Sequence, residues 1–144
     1  MNREYWENNV PNSNRMIIFD RLYDFANEAI GKGNFVISYR KTQITFMLTG
    51  RNVALAGFYP QTVETFKFAV KLTHDRVYDE WVNEIRSKYN LKKYDKRRKT
   101  RHSDSIDWGY EFALSPADVG DDKKEAFIEL FRKSYEIHRY MSVL

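Results

Sequence analysis

Thr65-Phe66-Lys67-Phe68-Ala69-Val70-Lys71-Leu72 is the stretch on which the fold turns. Phe66, Phe68, Val70 and Leu72 alternate with Thr65, Lys67, Ala69 and Lys71. A period of two, with bulky apolar side chains on one face, is the pattern of a strand half-covered by a core. It favours an antiparallel sheet whose other side meets water or a partner. Reading back toward the N-terminus, Phe35–Tyr39 and Gln43–Leu48 have strand character and are separated by Arg40-Lys41-Thr42, a hairpin-length break. In the second of these Ile44, Phe46 and Leu48 share one face against Thr45 and Met47. Thr49-Gly50-Arg51-Asn52 reads as a turn, and Val53–Tyr59 as a third strand ending at Pro60. Four consecutive strands make a meander.

Helices flank it. Asn12 or Ser13 is suited to cap a helix running to about Ile30, with Ile18, Leu22, Phe25 and Ala29 on one face and Gly31-Lys32-Gly33 as its stop. Residues 1–12 read as an irregular tail in which Tyr5 and Trp6 are the candidate anchors. Thr73 is suited to cap a second helix through about Tyr89, with Val77, Trp81 and Ile85 at four-residue spacing. Residues 90–106 show neither period and read as a long basic loop; Trp108–Leu114 returns to strand character. Ser115-Pro116-Ala117-Asp118 joins an N-cap, a proline at N1 and an acid at N3, a start signal for a helical turn. The last helix runs from about Asp122 to Tyr140, with Phe127, Leu130, Ser134, Ile137 and Met141 as its inner stripe. The expectation is a single α+β domain: an antiparallel sheet of about five strands with three helices packed mainly on one face.

Ten Phe, ten Tyr and three Trp predict an aromatic core. The absence of cysteine removes disulfides, thiolate metal sites and cysteine nucleophiles together. No apolar run approaches the ~18 residues of a membrane-spanning helix. The first residues, Met-Asn-Arg-Glu-Tyr-Trp-Glu, lack the basic-then-apolar order of a signal peptide. A cytoplasmic protein with no membrane partner is expected.

Charge is concentrated in one place. Residues 92–102 carry seven of the 24 Lys and Arg against a single acid, Asp95, so they contribute +6 to a chain whose net charge is +4. Such a segment favours anionic partners. Lys92, Lys93, Lys96, Arg97, Arg98, Lys99 and Arg101 are candidate phosphate contacts, and Tyr94 and His102 candidates for stacking on an unpaired base. An acidic protein face, or a solvated loop with no partner, are the competing readings. A second candidate surface is the polar sheet face, where Thr45, Thr65, Lys67 and Lys71, with Arg40 and Lys41 at a turn, would extend the positive patch. Phe46, Phe66 and Phe68 belong to the core face, and no stretch matches the aromatic signature of RNA-binding sheets.

From Phe35 to His138 the order of elements resembles a small bacterial α+β domain often appended to larger proteins predicted to act on DNA or its modification. The Thr65–Leu72 strand, the helix from Thr73 to Tyr89, the turn into Trp108-Gly109-Tyr110-Glu111-Phe112 and the Ser115–Asp118 helix start carry the resemblance. It implies a fold and a nucleic-acid context, and brings no catalytic motif; the basic segment is an elaboration on that pattern.

A metal-dependent nuclease is the enzyme class to test, since it needs carboxylates converging on a metal beside a lysine. No Glu-x-Lys occurs; Glu64-Thr-Phe-Lys67 and Glu84-Ile-Arg86 have the wrong spacing or residue, and Asp75, Asp79 and Glu80 beside His74 suit a helix start. His74, His102 and His138 share no metal-ligand spacing, and the glycines form no phosphate or dinucleotide loop. No cofactor is expected. The reading is a non-enzymatic protein that docks its basic segment on nucleic acid or a nucleic-acid-handling complex. Its motif-free format suits a phage or mobile-element inhibitor of a nucleic-acid-targeting defence enzyme. The alternatives are the nuclease and an oligomeric module, in which an exposed edge strand, Phe35–Tyr39, pairs with a second copy.

Overall fold

The computed structural model describes residues 2–9, 14–60, 66–72, 76–91, 94–99 and 108–141. The Thr65–Leu72 alternation becomes strand β4 (Phe66–Lys71), near the middle of a fully antiparallel sheet. The meander precedes it as β1 (Phe35–Tyr39), β2 (Ile44–Leu48) and β3 (Ala54–Pro60), and β5 (Tyr94–Lys99) and β6 (Trp108–Leu114) follow. The order across the sheet is β1-β2-β3-β4-β6-β5, so β1 and β5 are its two edges. Among the described residues there are four α-helices: α1 (Arg3–Asn9), α2 (Asn14–Ile30), α3 (Arg76–Lys88) and α4 (Lys124–Met141). The fold is α+β, with helices on one sheet face.

Register explains which face. Phe58, Phe68 and Phe112 lie directly opposite one another across β3, β4 and β6, as do Ala56, Val70 and Tyr110, and all are fully buried. Helix α4 lays Phe127 and Phe131 over this surface, with ring centroids of Phe131 5.0 Å from Phe46 and 5.3 Å from Phe68. Helix α2 adds Phe19, 5.8 Å from Phe46, and Phe25, stacked 5.9 Å from Phe127. Each such ring pair adds about 0.5–1.5 kcal/mol beyond the area it removes from water.

The irregularities have identifiable causes. The β2–β3 register pairs Phe46 with Ala56 but Met47 with Ala54, leaving Leu55 as an extra residue in a bulge. Its carbonyl is met from above by Ser134 of α4, whose Oγ lies 2.8 Å from Leu55 O and 2.7 Å from Lys71 O. One hydroxyl proton serves these two carbonyls, so a single serine addresses both the bulge and the end of β4. Helix α2 stops where Gly31 adopts φ +98°, a left-handed position that glycine enters without strain. The Ser115–Asp118 signal forms a 3-10 turn over Pro116–Val119, with buried Asp118 accepting from Ser115 N at 2.8 Å and pairing with Lys123 at 3.1 Å.

Three expectations need correction. Residues 3–9 are helical rather than an irregular tail, and Trp6 does pin them: it is 2% exposed and its indole N–H donates to Arg40 O at 3.0 Å. Arg3 adds a fork onto both carboxylate oxygens of Asp20, at 2.6 and 2.9 Å, which with Glu7 raises its pKa further still. In α3, Val77 is 65% exposed while Val82 and Ile85 are buried. A strict four-residue spacing drifts about 40° per step around a 3.6-residue helix, so 77, 81 and 85 do not stay on one face. In α4, Phe131 and His138 join the buried stripe. The third correction concerns residues 94–99, which are a strand. The caps assigned to Asn12, Ser13 and Thr73 lie outside the described residues.

Candidate nucleic-acid interface

The basic segment is expected as a loop, yet its centre is the edge strand β5, Tyr-Asp-Lys-Arg-Arg-Lys. Lysine and arginine have little strand preference of their own, so the neighbour decides: β6 offers a full strand with one side already taken by β4. Tyr94 pairs with Phe112, Asp95 with Glu111, Arg98 with Gly109 and Lys99 with Trp108. Lys96 and Arg97 together oppose Tyr110, a bulge that bends the edge. Beneath it Tyr110 is fully buried, and its hydroxyl donates to Asp79 Oδ1 of α3 at 2.7 Å. The backbone of Tyr94, Lys96, Arg97, Arg98 and Lys99 is therefore placed on one edge strand. Lys92, Lys93, Arg101 and His102 lie outside the described residues.

The face away from the helices adjoins this edge. One row crosses it in register: Ser38, Thr45, Gly57, Ala69, Glu111 and Asp95. The central members are small, and Gly57 has to be: a Cβ there would stand 2.7 Å from Cε2 of Tyr59, whose ring lies across the backbone. Lys67, from the next row, bridges to Glu111 at 3.2 Å, with side chains only 17% and 8% exposed. That pair supplies the buried Glu111 carboxylate with a counter-charge.

The polar face is thus less open than its sequence implies. Thr45 is buried, Lys67 is engaged with Glu111, and Thr65 lies outside the described residues. Arg40 and Lys41 belong to the β1–β2 turn, at the edge remote from β5, so they do not continue the basic patch.

Two other sites bear on chemistry. A cleft of about 250 Å³ between α3 and α4 is lined by Trp81, Glu129, Arg132, Lys133 and Glu136. Lys133 Nζ sits 5.6 Å from the Trp81 ring centroid, so a cation of the protein already faces that ring. His138 is buried, with Nδ1 2.8 Å from Ser134 O, a structural placement on α4. Among the described residues no three His, Cys, Asp or Glu side chains converge as a metal site would require. No described helix is long and apolar enough to cross a membrane.

What sequence reading missed was the strand at 94–99. No period marks it in the sequence, and although lysines commonly protect a sheet edge, charge alone does not separate a strand from a loop. No family model, curated protein or solved structure matches this chain.

Proposed function

We propose that this protein is a non-enzymatic binding module that sets β5 and its flanking cations against the phosphate backbone of nucleic acid, bare or within a nucleic-acid-handling complex. The observation that carries the reading is the placement of Lys96, Arg97, Arg98 and Lys99 consecutively on the edge strand β5, across a bulge at Lys96 and Arg97. A strand advances ~3.4 Å per residue, so four cations fall within a short stretch of backbone that a run of phosphates can follow. Holding the cations on a sheet removes part of the ordering cost a flexible loop would incur on binding. The resemblance to a domain appended to DNA-acting proteins points the same way. Phosphate contacts position a protein without reading sequence, so binding is expected to be sequence-tolerant.

The test is a titration of labelled duplex and single-stranded DNA and RNA across a salt series. The wild type is compared with Lys96→Ala/Arg97→Ala/Arg98→Ala/Lys99→Ala. Loss of about four phosphate contacts should flatten the salt slope on duplex by up to ~3.6 and weaken low-salt binding by roughly 100-fold or more. A wild type that holds no nucleic acid at low salt removes this reading. If it instead captures a defence enzyme through β5, the inhibitor role follows.

A further inference from the structure

The opposite edge of the sheet points to a partner of another kind. Strand β1, Phe-Val-Ile-Ser-Tyr, carries no charge, and among the described residues no element pairs with its outer side. Its hydrogen-bond directions follow from the two bonds that frame the hairpin. Arg40 N donates to Gln43 O at 2.9 Å, and Thr49 N to Asn34 O at 3.2 Å. In an antiparallel ladder, hydrogen-bonded and non-hydrogen-bonded pairs alternate. With 34–49 and 40–43 bonded, Val36 and Ser38 turn their backbone groups toward Met47 and Thr45 of β2. Phe35, Ile37 and Tyr39 then turn theirs outward.

We propose that β1 pairs with β1 of a second copy of this chain, antiparallel and centred on Ile37. This register is self-complementary. Ile37 faces its own counterpart and Phe35 faces Tyr39 of the other copy, so the three outward residues form three hydrogen-bonded pairs, about six bonds in all. Val36, 49% exposed beside Met47, comes to lie opposite Ser38 of the second copy and loses its water.

Charge selects this occupant over the alternative edge pairing. A β5–β5 contact would oppose Lys and Arg with Lys and Arg, and the β5 bulge interrupts its ladder. A β1–β5 contact would be head-to-tail and would propagate without closing. The β1–β1 contact is two-fold, neutral and closed. It makes one continuous sheet of twelve strands with a basic strand at each end. At ~4.8 Å per strand those ends stand roughly 50 Å apart.

The experiment is the mass in solution, by light scattering after size exclusion, with no nucleic acid present; it therefore stands or falls apart from the reading of β5. At about 100 μM, where a dimer of micromolar Kd is nearly complete, the expected mass is twice the 17.3 kDa of one chain. Val36→Lys/Ser38→Lys changes only the face away from the helices and puts lysines directly opposite each other across the two-fold. It should halve the mass while leaving the circular dichroism unchanged. Ile37→Pro, which deletes one outward N–H, should do the same. A wild type of 17.3 kDa at that concentration overturns the proposal, as does a folded double-lysine variant that remains dimeric.

Discussion

The two edges of the sheet solve one problem in opposite ways. Among the described residues, both β1 and β5 carry a row of backbone groups with no strand beyond them. At β5 the sequence Tyr-Asp-Lys-Arg-Arg-Lys and a bulge make the edge repel another like itself. At β1 no charge stands in the strand, and protection comes from neighbours on the helical side alone. Tyr23 of α2 packs on Phe35, ring centroids 5.6 Å apart, and Phe19 on Tyr39 at 6.1 Å. The Trp6 indole holds the turn that follows. The difference teaches that charge on a strand is ambiguous. It defends an edge and equips it for anions at the same time, whereas an uncharged edge has only shape and hydrogen bonds to offer.

Three substitutions would break or sharpen that contrast. The largest effect should come from Trp6→Ala, which removes a buried indole and its bond to Arg40 O. A loss of about 3–5 kcal/mol, read from urea unfolding, is expected, and hydrogen exchange should rise first along β1 and β2. A loss below about 1 kcal/mol would mean that α1 does not hold this edge.

On the basic side, Lys67→Ala leaves the buried Glu111 carboxylate with less compensation. A destabilisation of about 1–3 kcal/mol is expected. Lys67→Met, which keeps the stem and removes the charge, should cost nearly as much; a Met variant as stable as the wild type would show that packing, and not charge, is what Lys67 supplies.

The smallest effect belongs to Tyr39. Burial raises its phenol pKa above the ordinary 10.0, partly offset by Arg3. The sign follows from proton uptake. The folded state keeps the phenolic proton more tightly than the unfolded chain does. Stability from this group is complete below about pH 10 and is lost as pH rises through the higher folded value. Tyr39→Phe should flatten the alkaline limb of a stability–pH profile and leave neutral pH almost unchanged.

Legibility divided along the same line. The meander was readable because Phe66, Phe68 and Val70 alternate with Lys67 and Lys71, and because Ile44, Phe46 and Leu48 repeat the pattern. All six of those apolar residues are buried. The glycine stop at Gly31 and the Ser115–Asp118 turn were equally plain, since each depends on local backbone chemistry. Strand β5 was not readable. Nothing in Lys96-Arg97-Arg98-Lys99 alternates, and its extended state comes from β6, which arrives later in the chain. The face of α3 failed for a different reason: Val77, Trp81 and Ile85 fit a spacing of four, whereas Tyr78, Val82 and Ile85 follow the true helical pitch. The basic residues themselves stand out by their local charge, and the contribution of the structure is to put four of them on one edge strand.

The sheet order carries one further consequence, for how the chain assembles. Strands β1 to β4 pair with their neighbours in sequence, and each ladder can form as soon as both of its strands exist. Strand β6 must find β4 across the whole of α3 and β5, a closure that costs more entropy and forms more slowly. Until it does, β4 is itself a bare edge presenting Phe66, Phe68 and Val70, the most adhesive strand in the molecule. The cations of β5 reach the sheet only after that edge has been closed.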